Sequence, residues 1–118
     1  MSNSINSIME DSEGRLWVPT DRGGLSRYDK KNDRFVTYGI EEGLPDDVVY
    51  GVVQDRGRNL WFGAHKGLVR FNPDNSSIRV FTRHDGLPFD QFNYKSAIYS
   101  PDGNIYMGGI NGLISFNP

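Results

Sequence analysis

The side chains that could do chemistry in this chain are poorly arranged for catalysis. Serine, histidine and aspartate all occur, but no serine sits in a nucleophile-elbow motif, where a strained turn would present its hydroxyl to a base. Asp46 and Asp47 are adjacent carboxylates, and neighbouring residues in an extended segment point apart, so they read as a solvated loop rather than an acid–base couple. His65 and His84 lack the close spacing of metal-ligand motifs and read as surface residues. The glycines are followed by neither a lysine–threonine pair nor a helix signal, so they cradle no phosphate. Trp17, Trp61 and Tyr106 could stack on a sugar ring, but their recurrence at one repeat position points first to packing. The expectation is a non-enzymatic chain with no catalytic residue, metal or cofactor.

Composition narrows the partners. A formal charge of −2 and no basic cluster give no electrostatic footprint for nucleic acid or for a membrane surface. No apolar run approaches the roughly 18 residues that span a bilayer, so no membrane segment is expected, and Met1–Ser4 lacks the features of a signal peptide. Without cysteine there is no disulfide or thiolate chemistry. Fourteen glycines, six prolines and fifteen aromatics favour short strands joined by tight turns.

The elements that position these residues follow from a repeat. Asp11-Ser-Glu-Gly-Arg-Leu-Trp17 returns as Asp55-Arg-Gly-Arg-Asn-Leu-Trp61 and, more loosely, as Ser100-Pro-Asp-Gly-Asn-Ile-Tyr106, at offsets of 44 and 45 residues. Gly24-Leu25, Gly67-Leu68 and Gly112-Leu113 follow in the same order, each with an aromatic residue three positions after the leucine: Tyr28, Phe71 and Phe116. Gly43-Leu44-Pro45 returns as Gly86-Leu87-Pro88. A period in the low forties holding four strand-like segments and no helix is the pattern of propeller blades. In the second copy the strands are expected at about 48–54, 60–64, 68–72 and 78–82. Ser100-Pro101-Asp102-Gly103 predicts a type I turn closing a hairpin. Leucine and aromatic three apart point to opposite faces of a strand, so both faces of each sheet must be buried. Ser7, Gly51 and Ser96 place small side chains on the innermost strand.

The expected fold is therefore all-β: a β-propeller fragment of three antiparallel blades, at about 2–45, 46–88 and 89–118, the last lacking its outer strand. Two additional residues between Pro88 and Tyr106 predict a bulge near Phe92-Asn93-Tyr94. Open faces on the first and third blades are expected to make the isolated fragment self-associate, and in a longer protein to meet the remaining blades.

These residues resemble the two-component regulator propeller repeat, carried here by Gly43-Leu44-Pro45, Asp55, Leu60-Trp61-Phe62-Gly63 and Gly67-Leu68-Val69-Arg70-Phe71. Pro19 departs from the repeat's glycine and Tyr106 from its tryptophan. The third blade looks like the last of such an array. The resemblance implies a periplasmic sensor region ahead of a membrane segment and a histidine kinase, responding to carbohydrate. On that basis an oligosaccharide is the expected ligand. Loops leaving one end of the strands differ most between repeats, and they nominate Arg22, His65, Lys66, Arg83 and His84 as ligand-binding residues on one face; the alternative is a scaffold for protein–protein contacts.

Overall fold

A computed structural model describes residues 5–87, 96–109 and 112–118. Blade one is formed by β1 (Met9–Glu10), β2 (Leu16–Pro19), β3 (Leu25–Asp29) and β4 (Arg34–Tyr38). Blade two is formed by β5 (Val49–Gln54), β6 (Leu60–Ala64), β7 (Gly67–Phe71) and β8 (Ile78–Phe81), and blade three by β9 (Ser96–Tyr99), β10 (Ile105–Gly109) and β11 (Gly112–Phe116). All pairings are antiparallel between strands consecutive in the chain. The expected strands of blade two are displaced by no more than one residue at either end. Trp17, Trp61 and Tyr106 occupy equivalent positions, each on the second strand opposite a residue of the first: Met9, Val53 and Ile98.

The turns between first and second strands are built alike. The fourth turn residue donates its N–H to the first carbonyl, from Gly14 to Asp11 (3.0 Å), Arg58 to Asp55 (3.1 Å) and Gly103 to Ser100 (2.9 Å). That fourth residue is left-handed each time, with φ of 80°, 70° and 90°, the geometry of a type I turn followed by a bulge. Blade two places Arg58 where the others have glycine.

The Gly-Leu anchor has a steric cause. A Cβ on Gly24, where φ is 72°, would lie 2.2 Å from the Tyr38 carbonyl oxygen. One repeat on, a Cβ on Gly67 would meet Val80 Cγ1 at 2.7 Å. In blades one and two glycine therefore stands at the entry to the third strand because the end of the fourth passes it closely. The fold is all-β as expected, and each blade link holds a single 3-10 turn, Ile40–Glu42 and Arg83–Asp85. A left-handed glycine, Gly43 or Gly86, ends each turn and sends the next leucine inward. Leu44 is buried in the seam between blades one and two, and Leu87 packs into that between two and three.

Alternation along the strands divides blade two between these seams. Leu60, Phe62, Ala64, Val69 and Phe71 pack against Trp17 and Leu25 of blade one. Val53, Trp61 and Leu68 pack against Ile105, Met107 and Ile114 of blade three. The predicted burial of both sheet faces therefore holds for the central blade, while Ile98 and Leu113 on the far face of blade three are 61% and 69% exposed. On the other end face, Ile8 is 65% exposed and Phe35 44%.

Gly51 lies buried in β5, Ser96 opens β9, and Ser7 precedes β1 rather than belonging to it. The pairing of β5 with β6 is irregular between Val49 and Val52. The bulge expected near Phe92-Asn93-Tyr94 lies outside the described residues.

Candidate functional site

Antiparallel order sends the β2–β3 and β6–β7 loops and the blade links to one end of the strands, with the Asp-x-x-Gly turns at the other. Arg22 lies in the β2–β3 loop, exposed and left-handed at φ 65°. His65, half-buried, and Lys66, exposed, form the β6–β7 turn. Backbone bonds tie both loops to the link before β5: Gly24 N–H donates to Asp47 O (2.7 Å) and His65 N–H to Val48 O (3.3 Å). Arg83 and His84 belong to the following link, where the His84 amide donates to Thr82 Oγ1 (3.3 Å).

Carboxylates share this end. Asp21 Oδ1 accepts from Asn6 Nδ2 (3.4 Å), and Asp46 Oδ1 accepts the Val48 amide (3.1 Å). Burial raises the Tyr50 phenol above its ordinary pKa, and the negative fields of Asp21 and Asp46 raise it further. Among the described residues the loops thus offer donors and acceptors at one end of the strands, an arrangement that can hydrogen-bond hydroxyl-rich or mixed-charge groups. Among the described residues no group of three or more His, Asp or Glu could hold a metal.

The opposite end carries polar constellations whose parts the sequence displays without revealing their connection. Asp11 is buried, and its Oδ2 accepts both Trp17 Nε1 (2.8 Å) and Arg15 Nε (2.7 Å). Its Oδ1 takes the amides of Glu13 and Arg15, both at 2.9 Å. Burial alone would raise this carboxyl, but donation from Trp17, Arg15 and Glu13 outweighs it and holds the group below the ordinary carboxylate value. Asp55 repeats the clasp on Trp61 Nε1 (2.7 Å) and the Asn59 amide (3.0 Å). In blade three the aspartate position is Ser100, and Asp102 takes over, accepting from Tyr106 OH (3.1 Å) and the Asn104 amide (2.9 Å). The Asn104 amide bond is the main cause holding Asp102 below its ordinary value, against a desolvation cost. The six-residue spacing of aspartate and tryptophan was the available sequence signal.

Between these turns and the outer strands the surface opens into concavities. One of about 390 Å³, in the seam of blades two and three, is lined by Asp55, Arg56, Asn59, Arg70, Tyr99 and Asp102, among others. A second, of about 470 Å³, is lined by blade two alone, by Asn59, Arg70, Asn72, Ser77, Ile78 and Arg79. None of the five residues nominated from sequence lines either.

The family described as two component regulator propeller matches residues 1–21 and 43–66. Histidine kinase P4 of Formosa agariphila is 31% identical over 115 residues, which are 97% of this chain and 8% of that protein. The extracellular domain of BT3049, described as a hybrid two-component system of B. thetaiotaomicron, superposes with a TM-score of 0.90 at 28% identity, covering 100% of this chain and 16% of that one. Virginiamycin B lyase of Staphylococcus aureus shares the fold at a TM-score of 0.67 and 18% identity, over 97% of this chain and 41% of its own. The chain thus spans a small part of the signalling proteins it matches, and the lyase shows that this strand arrangement also occurs in an enzyme.

Proposed function

Because the chain is made of two-component regulator propeller repeats, we propose that it is a ligand-sensing segment of a two-component signalling protein. In this reading it lies in the periplasm, is not itself an enzyme, helps hold a glycan-derived ligand, and passes a change in blade packing toward a histidine kinase. The observation that carries the reading is that nearly the whole chain aligns with one small part of a histidine kinase. An extracellular location of the related domain supports the compartment. Arg22, His65, Lys66, Arg83 and His84 are the proposed contacts, since cationic and imidazole donors on loops sharing one end can grip hydroxyl, carboxylate or sulfate groups.

The test is calorimetric titration of the intact sensor region with a panel of neutral and acidic oligosaccharides, repeated with Lys66→Ala and Arg83→Ala. Each substitution is expected to weaken binding at least about tenfold, the loss of one charge-assisted hydrogen bond. Unchanged affinity in both variants refutes the assignment of these loops. The second reading, a docking scaffold, rests on the exposed Ile98 and Leu113. It predicts that Leu113→Glu abolishes assembly with another subunit while saccharide titrations stay silent.

A further inference from the structure

Arg70 and Arg79 face each other directly across β7 and β8. Side chains at such positions stand about 5 Å apart at Cβ, where like charges are destabilising. The other blades avoid this clash: blade one pairs Arg27 with Val36, and blade three has Ser115 at the position of Arg70. Among the described residues, no carboxylate forms an ion pair with either guanidinium. Both lie instead near aromatic rings, Arg79 Cζ at 4.7 Å from the Phe81 centroid and Arg70 Cζ at 6.0 Å from those of Trp61 and Phe81.

The acids lining the neighbouring concavities are already engaged. Asp55 holds Trp61 and Asn59, Asp102 holds Asn104 and Tyr106, and Asp85 Oδ2 accepts the Thr82 amide. Two cations thus line the same 470 Å³ groove from directly opposed positions, with no ion-paired carboxylate among the described residues and with the neutral donors Asn59, Asn72 and Ser77 around them. We propose that the Arg70–Arg79 pair is an oxyanion site, built to take a carboxylate or sulfate group in this groove of blade two.

Two guanidinium forks can each give paired N–H bonds to one such group, and the added negative charge removes the cross-strand repulsion. The amide and hydroxyl donors can serve its remaining lone pairs. The proposal does not depend on the sensory reading, because none of the five loop residues lines this groove. The same oxyanion could come from a dissolved ligand or from an Asp or Glu side chain of polypeptide continuing past Pro118, which lines an adjoining concavity.

Titration of the 118-residue chain with sodium sulfate and with glucuronate, at ionic strength held constant with chloride, tests the site by NMR. Saturable shifts are expected at the Arg70 and Arg79 Nε–H and Trp61 Nε1–H resonances. Arg79→Gln is expected to weaken that binding about ten- to hundredfold, and to melt no lower than the parent at low salt because a repulsive pair is gone. Non-saturating shifts, or the same affinity in Arg79→Gln, overturn the proposal. Polypeptide extended past Pro118 separates the sources. Retained saturable binding identifies a dissolved ligand, whereas lost binding together with destabilisation by Arg79→Gln identifies an internal carboxylate.

Discussion

Replacing Asp11 by alanine removes the acceptor of four hydrogen bonds while leaving their donors in place. The Trp17 indole N–H is the largest loss, because that side chain is fully buried and water cannot substitute; an orphaned donor of this kind costs about 1–3 kcal/mol. The Glu13 and Arg15 amides lose an acceptor comparable to a helix cap, worth about 0.5–2 kcal/mol. Arg15 keeps contacts to Pro73 O and Asp74 and is partly exposed, so its share is at most about 1 kcal/mol. The expected total is about 1.5–6 kcal/mol. Asp55→Ala should cost less, about 1–3 kcal/mol, because Asn59 replaces the arginine and one buried indole carries the loss. Urea unfolding followed by tryptophan fluorescence measures both, with Trp17→Phe completing a double-mutant cycle against Asp11. If Asp11→Ala costs less than about 1 kcal/mol, or if Asp55→Ala costs more than Asp11→Ala, the argument from orphaned donors is wrong.

The remaining predictions concern packing, charge and acid. Trp61→Ala should destabilise by about 3–5 kcal/mol, since it empties the seam against Phe81 and Phe116; a near-neutral value in the same unfolding assay removes Trp61 from the core. Arg58 is left-handed yet bridges Glu13 at 2.8 Å and Asp74 at 3.3 Å. Arg58→Gly should therefore be close to neutral at low salt and stabilising by about 0.5–1 kcal/mol near 1 M salt, where exposed bridges are screened; destabilisation in both refutes the trade. The Asp11 carboxyl is depressed in the folded state, so its stabilisation is complete above the unfolded-state pKa and is lost as pH falls through the ordinary carboxylate range and below. Asp11→Asn should flatten the fall of the urea midpoint below about pH 4, and an unchanged acid limb would contradict the assignment. Light scattering should show the isolated chain associating as concentration rises, less so with Leu113→Glu; a monomer throughout would show that the open faces do not pair.

Much of this fold is legible in sequence because its periodicity is enforced by sterics. Gly24 and Gly67 recur where the end of a fourth strand leaves no room for a Cβ, and Gly43 and Gly86 recur where the link turns left-handed. The Asp–Trp clasp was harder to read, since six residues of separation become a 2.7–2.8 Å contact only once the turn and its bulge are in place. The Arg70–Arg79 pair required the β7–β8 register, which separate strand assignments do not supply. The loop residues illustrate a different limit. Strand direction assigned them an end of the molecule, but exposed side chains without packing constraints do not converge on a point that sequence can name.

The three turns also form a set of internally matched substitutions. Where the second strand bears an indole, the accepting carboxylate sits six positions earlier; where it bears a phenol, the carboxylate sits four positions earlier and serine takes the vacated place. Donor and acceptor have therefore shifted jointly, from a buried setting in blade one to an exposed one in blade three. Restoring tryptophan at Tyr106 without aspartate at Ser100 would leave the new N–H to water in this exposed turn, whereas the double exchange would recreate the arrangement of the first two blades. Grafting between repeats of this kind should accordingly move residue pairs rather than single positions.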